Sequence, residues 1–81
     1  MKTTRYFDYS RSRPDRREIR DVWILAAIHD PVEETIQADG RIRRWTWVEE
    51  KEAYLRVILL EDGETVHNAF FDRRYSKKGK E

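Results

Sequence analysis

The stretch RIRRWTW, residues 41–47, places three arginines and two tryptophans within seven positions. Guanidinium groups carry forked N–H donors that match phosphate oxygens, and flat indole rings can stack on exposed nucleobases. Later in the chain, His67 is the only histidine within a predicted strand, and its ordinary pKa suits proton transfer near neutral pH. Side chains of these types, gathered on one side of a sheet, would suit the binding of single-stranded RNA.

Cleavage of RNA without a metal ion needs three kinds of group. A base must accept the proton of the 2′-hydroxyl, an acid must protonate the leaving oxygen, and cations must balance the developing charge. The residues that fit these roles are the catalytic candidates His67, Arg56 and Arg43, with Tyr54 or Glu34 as further proton carriers. The candidate binding residues on the same strands are Trp45, Trp47 and Tyr54.

The same side chains also admit a purely structural interpretation. Trp45, Trp47 and Tyr54 could pack against the N-terminal YFDY, residues 6–9, or against a partner chain. Arg56 could simply stack on Trp45, and a single histidine in a strand is commonly structural. Under this interpretation the chain is a non-catalytic domain that docks a protein partner or a second copy of itself.

Metal and cofactor chemistry have little support in the sequence. There is no cysteine, and the two histidines do not form a metal-ligand cluster of useful spacing. Glycines occur only in turns and near the end of the chain, so no glycine-rich loop could cradle a phosphate. We therefore expect neither a metal site nor a cofactor.

Length and composition predict one small soluble domain. Charged residues make up 41% of the 81 positions and hydrophobic residues 38%, which is polar but sufficient for one modest core. The longest apolar run, VWILAAI, is far shorter than the roughly 20 residues of a membrane-spanning helix. The polar N-terminus does not resemble a signal peptide, and the lack of cysteine fits a reducing compartment. These features predict a cytoplasmic protein that does not interact with a membrane.

Charge is unevenly distributed although the net charge is only +1. Residues 1–20 carry seven basic and three acidic side chains, whereas residues 21–40 carry five acidic and no basic ones. Such an arrangement could steer an anionic partner to one region of the surface. The run RSRPDRREIR, residues 11–20, could bind phosphate, or it could be the exposed face of a helix start.

One helix is predicted before the strands. Asp15 and Glu18 have the spacing of a capping box, so the helix should span residues 15–30 and end before Pro31. Its apolar stripe follows helical spacing and comprises Ile19, Val22, Trp23 and Ala26. The preceding TTRYFDY, residues 3–9, is predicted to be a short extra strand or an ordered arm.

Four strand-like runs follow, at residues 32–38, 41–49, 53–61 and 65–72. Asp39-Gly40 and Asp62-Gly63 are strong hairpin signals between them. The sequence therefore predicts an α+β fold in which one helix packs on a four-stranded antiparallel meander. Residues 1–72 form the domain, and residues 73–81 form a flexible basic tail.

The lengths of the turns decide the register, and the register divides the side chains between two faces. The Asp-Gly turns permit either loop length, and a one-residue slip would exchange the faces. A three-residue turn at Asp39-Gly40 and two-residue turns at Glu50-Lys51 and Asp62-Gly63 gather the aliphatic side chains on what we call the core face. That face comprises Ile36, Ile42, Val48, Leu55, Val57, Leu59, Val66 and Phe70. The opposite side, which we call the second face, comprises Arg43, Trp45, Trp47, Tyr54, Arg56, Ile58, His67, Ala69 and Phe71.

This layout resembles the RelE-like superfamily of bacterial ribonuclease toxins and its small relatives. The residues that carry the resemblance are the helix start RPDRREI, the hairpin ADGR, the stretch YLRVILLEDGETVHNAFF and the ending DRRY. The resemblance implies an antitoxin as protein partner and cleavage of messenger RNA by basic and aromatic side chains on the sheet. By position it adds Arg73 and Tyr75 to Arg43, Arg56 and His67. It also implies two helices before the meander, whereas this sequence predicts one.

Overall fold

Two short helices precede a four-stranded antiparallel sheet in the computed structural model, which describes residues 1–76. The strands follow one another in the sheet in chain order. The elements are α1 (Arg5–Ser10), α2 (Asp21–His29), β1 (Glu33–Ile36), β2 (Ile42–Val48), β3 (Ala53–Leu59) and β4 (Val66–Phe71), with a 3₁₀ turn over Glu49–Lys51. The predicted α+β class and the meander are confirmed, and no helix within residues 1–76 has the length and apolar character to span a membrane.

The predicted register holds across the first three strands. Ile36 lies opposite Ile42, and Trp45 lies opposite Arg56. The β1–β2 turn favours a glycine, because Gly40 has a φ of +91°, a conformation that residues with a Cβ rarely adopt. The alternation of side chains and the turns at Asp39-Gly40 and Glu50-Lys51 were enough to predict which residues pair in β1, β2 and β3.

The register of β4 differs from the prediction by one residue. Leu59 pairs with Val66 as expected, but Ile58 pairs with Asn68 instead of His67, so the strand bulges at His67. The backbone N–H and C=O of Val66 are both bonded to the N-terminal segment, at Lys2 O (2.9 Å) and Thr4 N (3.0 Å). This extra pairing at the sheet edge accompanies the bulge, which no pattern of side chains indicated.

The bulge exchanges side chains between the two faces of β4. Ala69 now belongs to the buried core, Phe71 packs against it, and Phe70 lies on the second face opposite Arg56. Ile36, also predicted in the core, is 62% exposed because it lies on the edge strand. The rest of the predicted core face packs as expected, and its fully buried members are Leu55, Val57, Leu59 and Val66.

The N-terminal segment is a helix, so the predicted extra strand is wrong. Only Thr3 makes a strand-like bridge, parallel to Val66. The Thr4 hydroxyl then caps α1 by accepting a hydrogen bond from the Phe7 N–H (3.1 Å). Helical spacing turns Phe7 into the core and leaves Tyr6 beside His67. Capping and these two contacts outweigh the β propensity of the sequence.

The second helix begins at Asp21, six residues later than predicted, and ends at His29 as expected before Pro31. Residues 11–18 form successive turns, because Ile19 is buried in the core and Arg16 is bonded to Asn68 on β4. The later start changes which helical face is buried. The residues that contact the core are Trp23, Ile24, Ala27 and Ile28, whereas the predicted Val22 and Ala26 are exposed.

The β3–β4 turn generates a prediction on acid stability. Asp62 accepts hydrogen bonds from the Thr65 hydroxyl and from the N–H groups of Thr65 and Glu64, which lower its pKa from 3.8 to about 2. A lowered folded-state pKa adds stability above the ordinary value, and this contribution is lost as pH falls toward 2. We expect Asp62→Asn to lower the melting temperature at pH 6 and to lower it much less at pH 2, where Asp62 is partly protonated in the folded state. Thermal unfolding across this range, with Glu50→Gln as control, tests it; a constant difference would contradict it.

Candidate functional site

A cleft of about 390 Å³ opens on the second face, between the sheet and α1. The strands contribute Arg56 and Ile58 from β3 and the bulged end of β4, while Tyr6 comes from α1. The complete lining is Tyr6, Gln37, Arg41, Arg56, Ile58, His67, Asn68 and Phe70. Two guanidinium groups, one imidazole and two aromatic rings thus meet in a single concavity.

The imidazole of His67 is held on two sides. Its Nδ1 lies 3.0 Å from the Thr4 hydroxyl, and its ring stacks on Tyr6 with a centroid distance of 5.0 Å. Burial lowers the pKa of His67, the positive charge of Arg41 lowers it further, and Asp39 acts in the opposite direction. The ring is therefore mostly neutral at pH 7, as a general base must be.

Arg56 is oriented in the cleft by the buried carboxylate of Asp72. Oδ2 of Asp72 accepts hydrogen bonds from Nε (3.0 Å) and Nη2 (2.7 Å) of Arg56, and also from the Trp45 indole N–H (3.1 Å). The guanidinium lies over the ring of Trp45 (5.4 Å), which is the predicted cation–π contact. Burial alone would raise the pKa of Asp72, but these hydrogen bonds and the Arg56 charge lower it overall.

A C-terminal turn, residues 72–75, covers the aromatic part of the second face. Oδ1 of Asp72 accepts from the backbone N–H groups of Arg74 and Tyr75, each at 3.2 Å. The Tyr75 ring stacks on Trp45 at 4.6 Å, and its hydroxyl donates to Glu33 (2.5 Å). Burial raises the pKa of Tyr75, and Glu33 raises it further. Tyr75 thus packs on the sheet although the sequence assigned it to a flexible tail, of which residues 77–81 lie outside the described part.

Phe70 and Asn68 connect the cleft to the segment between the helices. The Phe70 ring contacts the guanidinium groups of Arg16 (5.4 Å) and Arg56 (5.1 Å). Oδ1 of Asn68 accepts from Arg16 (2.8 Å) and from the Ala69 N–H (2.9 Å). With the amide oxygen occupied, the NH₂ group of Asn68 remains for a ligand, so donors dominate the polar lining of the cleft.

Arg43 lies beside the cleft, opposite Ile58 on one side and Thr35 on the other. Its Nε is buried and has no hydrogen-bond partner within residues 1–76, and the same holds for the Thr35 hydroxyl. Buried donors normally find a partner in the protein or in water. These two atoms therefore mark a polar spot at the cleft margin.

The structure divides the residues that the sequence grouped together. Arg56 and His67 line the cleft, with Arg43 next to it. Trp45 is only 5% exposed, beneath Tyr75 and Arg56. A separate hollow of about 190 Å³ is lined by Trp47, Tyr54, Arg73 and Tyr75 together with Asp72. Glu34, which the sequence offered as a further proton carrier, lies on the core face and is bonded to Arg44 (2.6 Å). It is therefore on the opposite side of the sheet from His67.

Sequence reasoning missed most of the polar lining of the cleft. Arg41 stands in the RIRRWTW stretch and Asn68 directly follows His67, so proximity in the sequence could have indicated both. Tyr6 enters the cleft only because residues 5–10 form a helix, and Phe70 only because β4 bulges. Neither event has a signal in the pattern of hydrophobic residues.

Tyr75 yields a prediction on stability. Tyr75→Ala should lower the free energy of unfolding by about 2–3 kcal/mol, because it uncovers Trp45. Tyr75→Phe keeps the ring stacking and should lose about 1 kcal/mol with the hydrogen bond to Glu33. Urea denaturation followed by tryptophan fluorescence measures both, and the exposed Tyr9→Ala serves as control. Equal losses for the two variants would show that the hydroxyl, and not the ring, holds the turn.

Arg41 yields a prediction on titration. Since its charge lowers the pKa of His67, Arg41→Gln should raise that pKa toward its ordinary value of about 6.5. The change is measured from the NMR shift of the imidazole Cε1 proton against pH. Arg73→Gln, which removes an exposed charge outside the cleft, is the matched control; an equal effect of both variants would contradict a specific influence of Arg41.

Within residues 1–76, no three histidine, aspartate or glutamate side chains come together as a possible metal site. No protein-family model, curated protein sequence or solved structure matches this chain.

Proposed function

We propose that the cleft binds single-stranded RNA and cleaves it by transferring the proton of a 2′-hydroxyl to His67. The observation that carries this proposal is the placement of the His67 imidazole, whose pKa is lowered by burial, in one concavity with Arg41 and Arg56. A base without nearby cations could not balance the charge of a phosphodiester in its transition state, and cations without a base could only bind it.

The two arginines are the groups that hold the phosphodiester. Arg56 is fixed by Asp72 and directs its guanidinium along the second face, while Arg41 is 3.8 Å from the Asp39 carboxylate in a looser pair. Fixed donors stabilise developing charge better than mobile ones, because they need no reorganisation during the reaction. Asn68 adds a neutral donor for a phosphate or base oxygen.

His67 acts through its Nε2. When Nδ1 carries the proton and donates a hydrogen bond to the Thr4 hydroxyl, the lone pair of Nε2 remains to accept the 2′-hydroxyl proton. The 2′-oxygen then forms a bond to the adjacent phosphorus, and the bond from phosphorus to the 5′-oxygen breaks. The leaving 5′-oxygen takes a proton from water in the open cleft. The products are a 2′,3′-cyclic phosphate and a free 5′-hydroxyl.

The arrangement of elements also supports a relationship to RelE-like toxins. The resemblance implied two helices before the meander, and α1 and α2 both precede β1. The candidate residues Arg56 and His67 lie on the sheet as that resemblance implies. The proposal therefore includes an antitoxin-like protein as the binding partner of this chain.

The alternative, a non-catalytic docking domain, draws on exposed aromatic side chains. Most of the aromatic surface that suggested it is covered by Tyr75 of the same chain, and Trp47 is 39% exposed at the margin. The alternative therefore has less surface to use than the sequence indicated.

Variants of the two histidines test the proposed reaction. His67→Asn should slow cleavage of a fluorescent single-stranded RNA by about 100-fold or more, because removal of a general base costs at least that. His29→Asn removes the other histidine, which lies beside a different pocket near the end of α2, and should leave the rate unchanged. Cyclic phosphate ends are identified by mass spectrometry.

Circular dichroism establishes that both variants are folded. Equal cleavage by His67→Asn and the parent chain would overturn the catalytic role of this residue. A parent chain that neither binds nor cleaves RNA, but self-associates in sedimentation experiments, would favour the docking alternative.

A further inference from the structure

The segment between the two helices, residues 11–20, carries five arginines and is held to the domain at several points. Arg11 bonds to Asp21 (2.5 Å), and Ile19 is buried in the core. Glu18 accepts a hydrogen bond from Lys51 (2.6 Å) at the β2–β3 turn. We call it the Arg-rich segment, and these contacts fix its backbone although it is not a helix.

Two arginines of the Arg-rich segment have no role in holding it. The side chains of Arg13 and Arg17 are exposed, and within residues 1–76 they make no ion pair, side-chain hydrogen bond or ring contact. Like charges close together raise the free energy of the folded state. Arg13 and Arg17 therefore add positive charge to the segment without making a contact that stabilises the fold.

The Arg-rich segment adjoins the cleft through Arg16. Its guanidinium bonds to Asn68 and contacts the ring of Phe70, and both of these residues line the cleft. Arg13 lies within one turn of Arg16, since the N–H groups of Arg16 and Arg17 both donate to the Arg13 carbonyl at 2.9 Å. Asp15 pairs with Arg16 (3.5 Å) and offsets part of its charge, so the unpaired positive charge beyond the cleft belongs to Arg13 and Arg17.

Acidic side chains accompany both surfaces, because Asp21 is paired with Arg11 of the Arg-rich segment and Asp39 with Arg41 of the cleft. The Arg-rich segment nevertheless carries five basic and two acidic side chains, which is an excess of three positive charges. This excess attracts a phosphate chain that leaves the cleft.

We infer that the Arg-rich segment is a second phosphate-binding surface that holds nucleotides next to those in the cleft. This inference rests on the proposed function and defines its substrate class: an extended RNA strand of several nucleotides, rather than a mononucleotide or dinucleotide. Arg13 and Arg17 contact phosphates outside the cleft, and Arg16 joins the two surfaces.

Strand length and salt dependence test the inference. The parent chain should bind a single strand of about ten nucleotides much more tightly than a dinucleotide, and Arg13→Gln with Arg17→Gln should reduce that ratio. Loss of two phosphate contacts should flatten the slope of log affinity against log salt by about 1.4, since each contact contributes about 0.7 on single strands. Fluorescence anisotropy at several salt concentrations measures both quantities.

Arg13→Lys with Arg17→Lys is the matched control, because it keeps both charges and should keep most of the slope. Lys2→Gln removes one charge near the end of α2 and should not change the length ratio. If the parent chain binds the longer strand and the double glutamine variant shows the same ratio and slope, the inference is wrong while the cleft remains an RNA site. If the parent chain binds neither RNA, the proposed function and the inference both fail.

Discussion

A buried carboxylate holds the second face of this domain together. Asp72 follows the last strand and accepts hydrogen bonds from Trp45, from Arg56 and from the backbone of the C-terminal turn. A buried charge is tolerated only when it is paired and hydrogen-bonded, and here both oxygens are used. Arg56 and Arg16 both contact the Phe70 ring. Without the Asp72 carboxylate, no negative charge would balance the Arg56 guanidinium there. The geometry of the cleft and the burial of Trp45 therefore depend on the same group.

The strands and most of their register could be predicted because local signals agreed with the global fold. Asp39-Gly40 and Asp62-Gly63 set the turns, and alternating side chains set the faces of β1 to β3. The helices were less predictable. Asp15 and Glu18 form an apparent capping box, but the contact of Arg16 with Asn68 and the burial of Ile19 require a different path there. Such long-range contacts are invisible to a pattern read along the chain.

The candidate site was likewise predictable only in part. His67 and Arg56 were identified by residue type on adjacent strands, and both line the cleft. Their companions depend on three events that the hydrophobic pattern does not indicate: a bulge at His67, the helix that brings Tyr6, and the return of Tyr75 onto Trp45. The last of these also explains why aromatic residues that looked available for a ligand are already covered.

The cleft is assembled from segments that lie far apart in the sequence. Thr4 and Tyr6 contact His67 across more than sixty positions of sequence, and Asp72 must arrive before Arg56 is oriented. During synthesis, residues 4–6 leave the ribosome long before β4 and residues 72–75 do. A nascent chain therefore lacks the complete concavity until residue 75 has emerged. Premature termination anywhere before residue 72 would yield fragments that retain arginines but have no organised pocket.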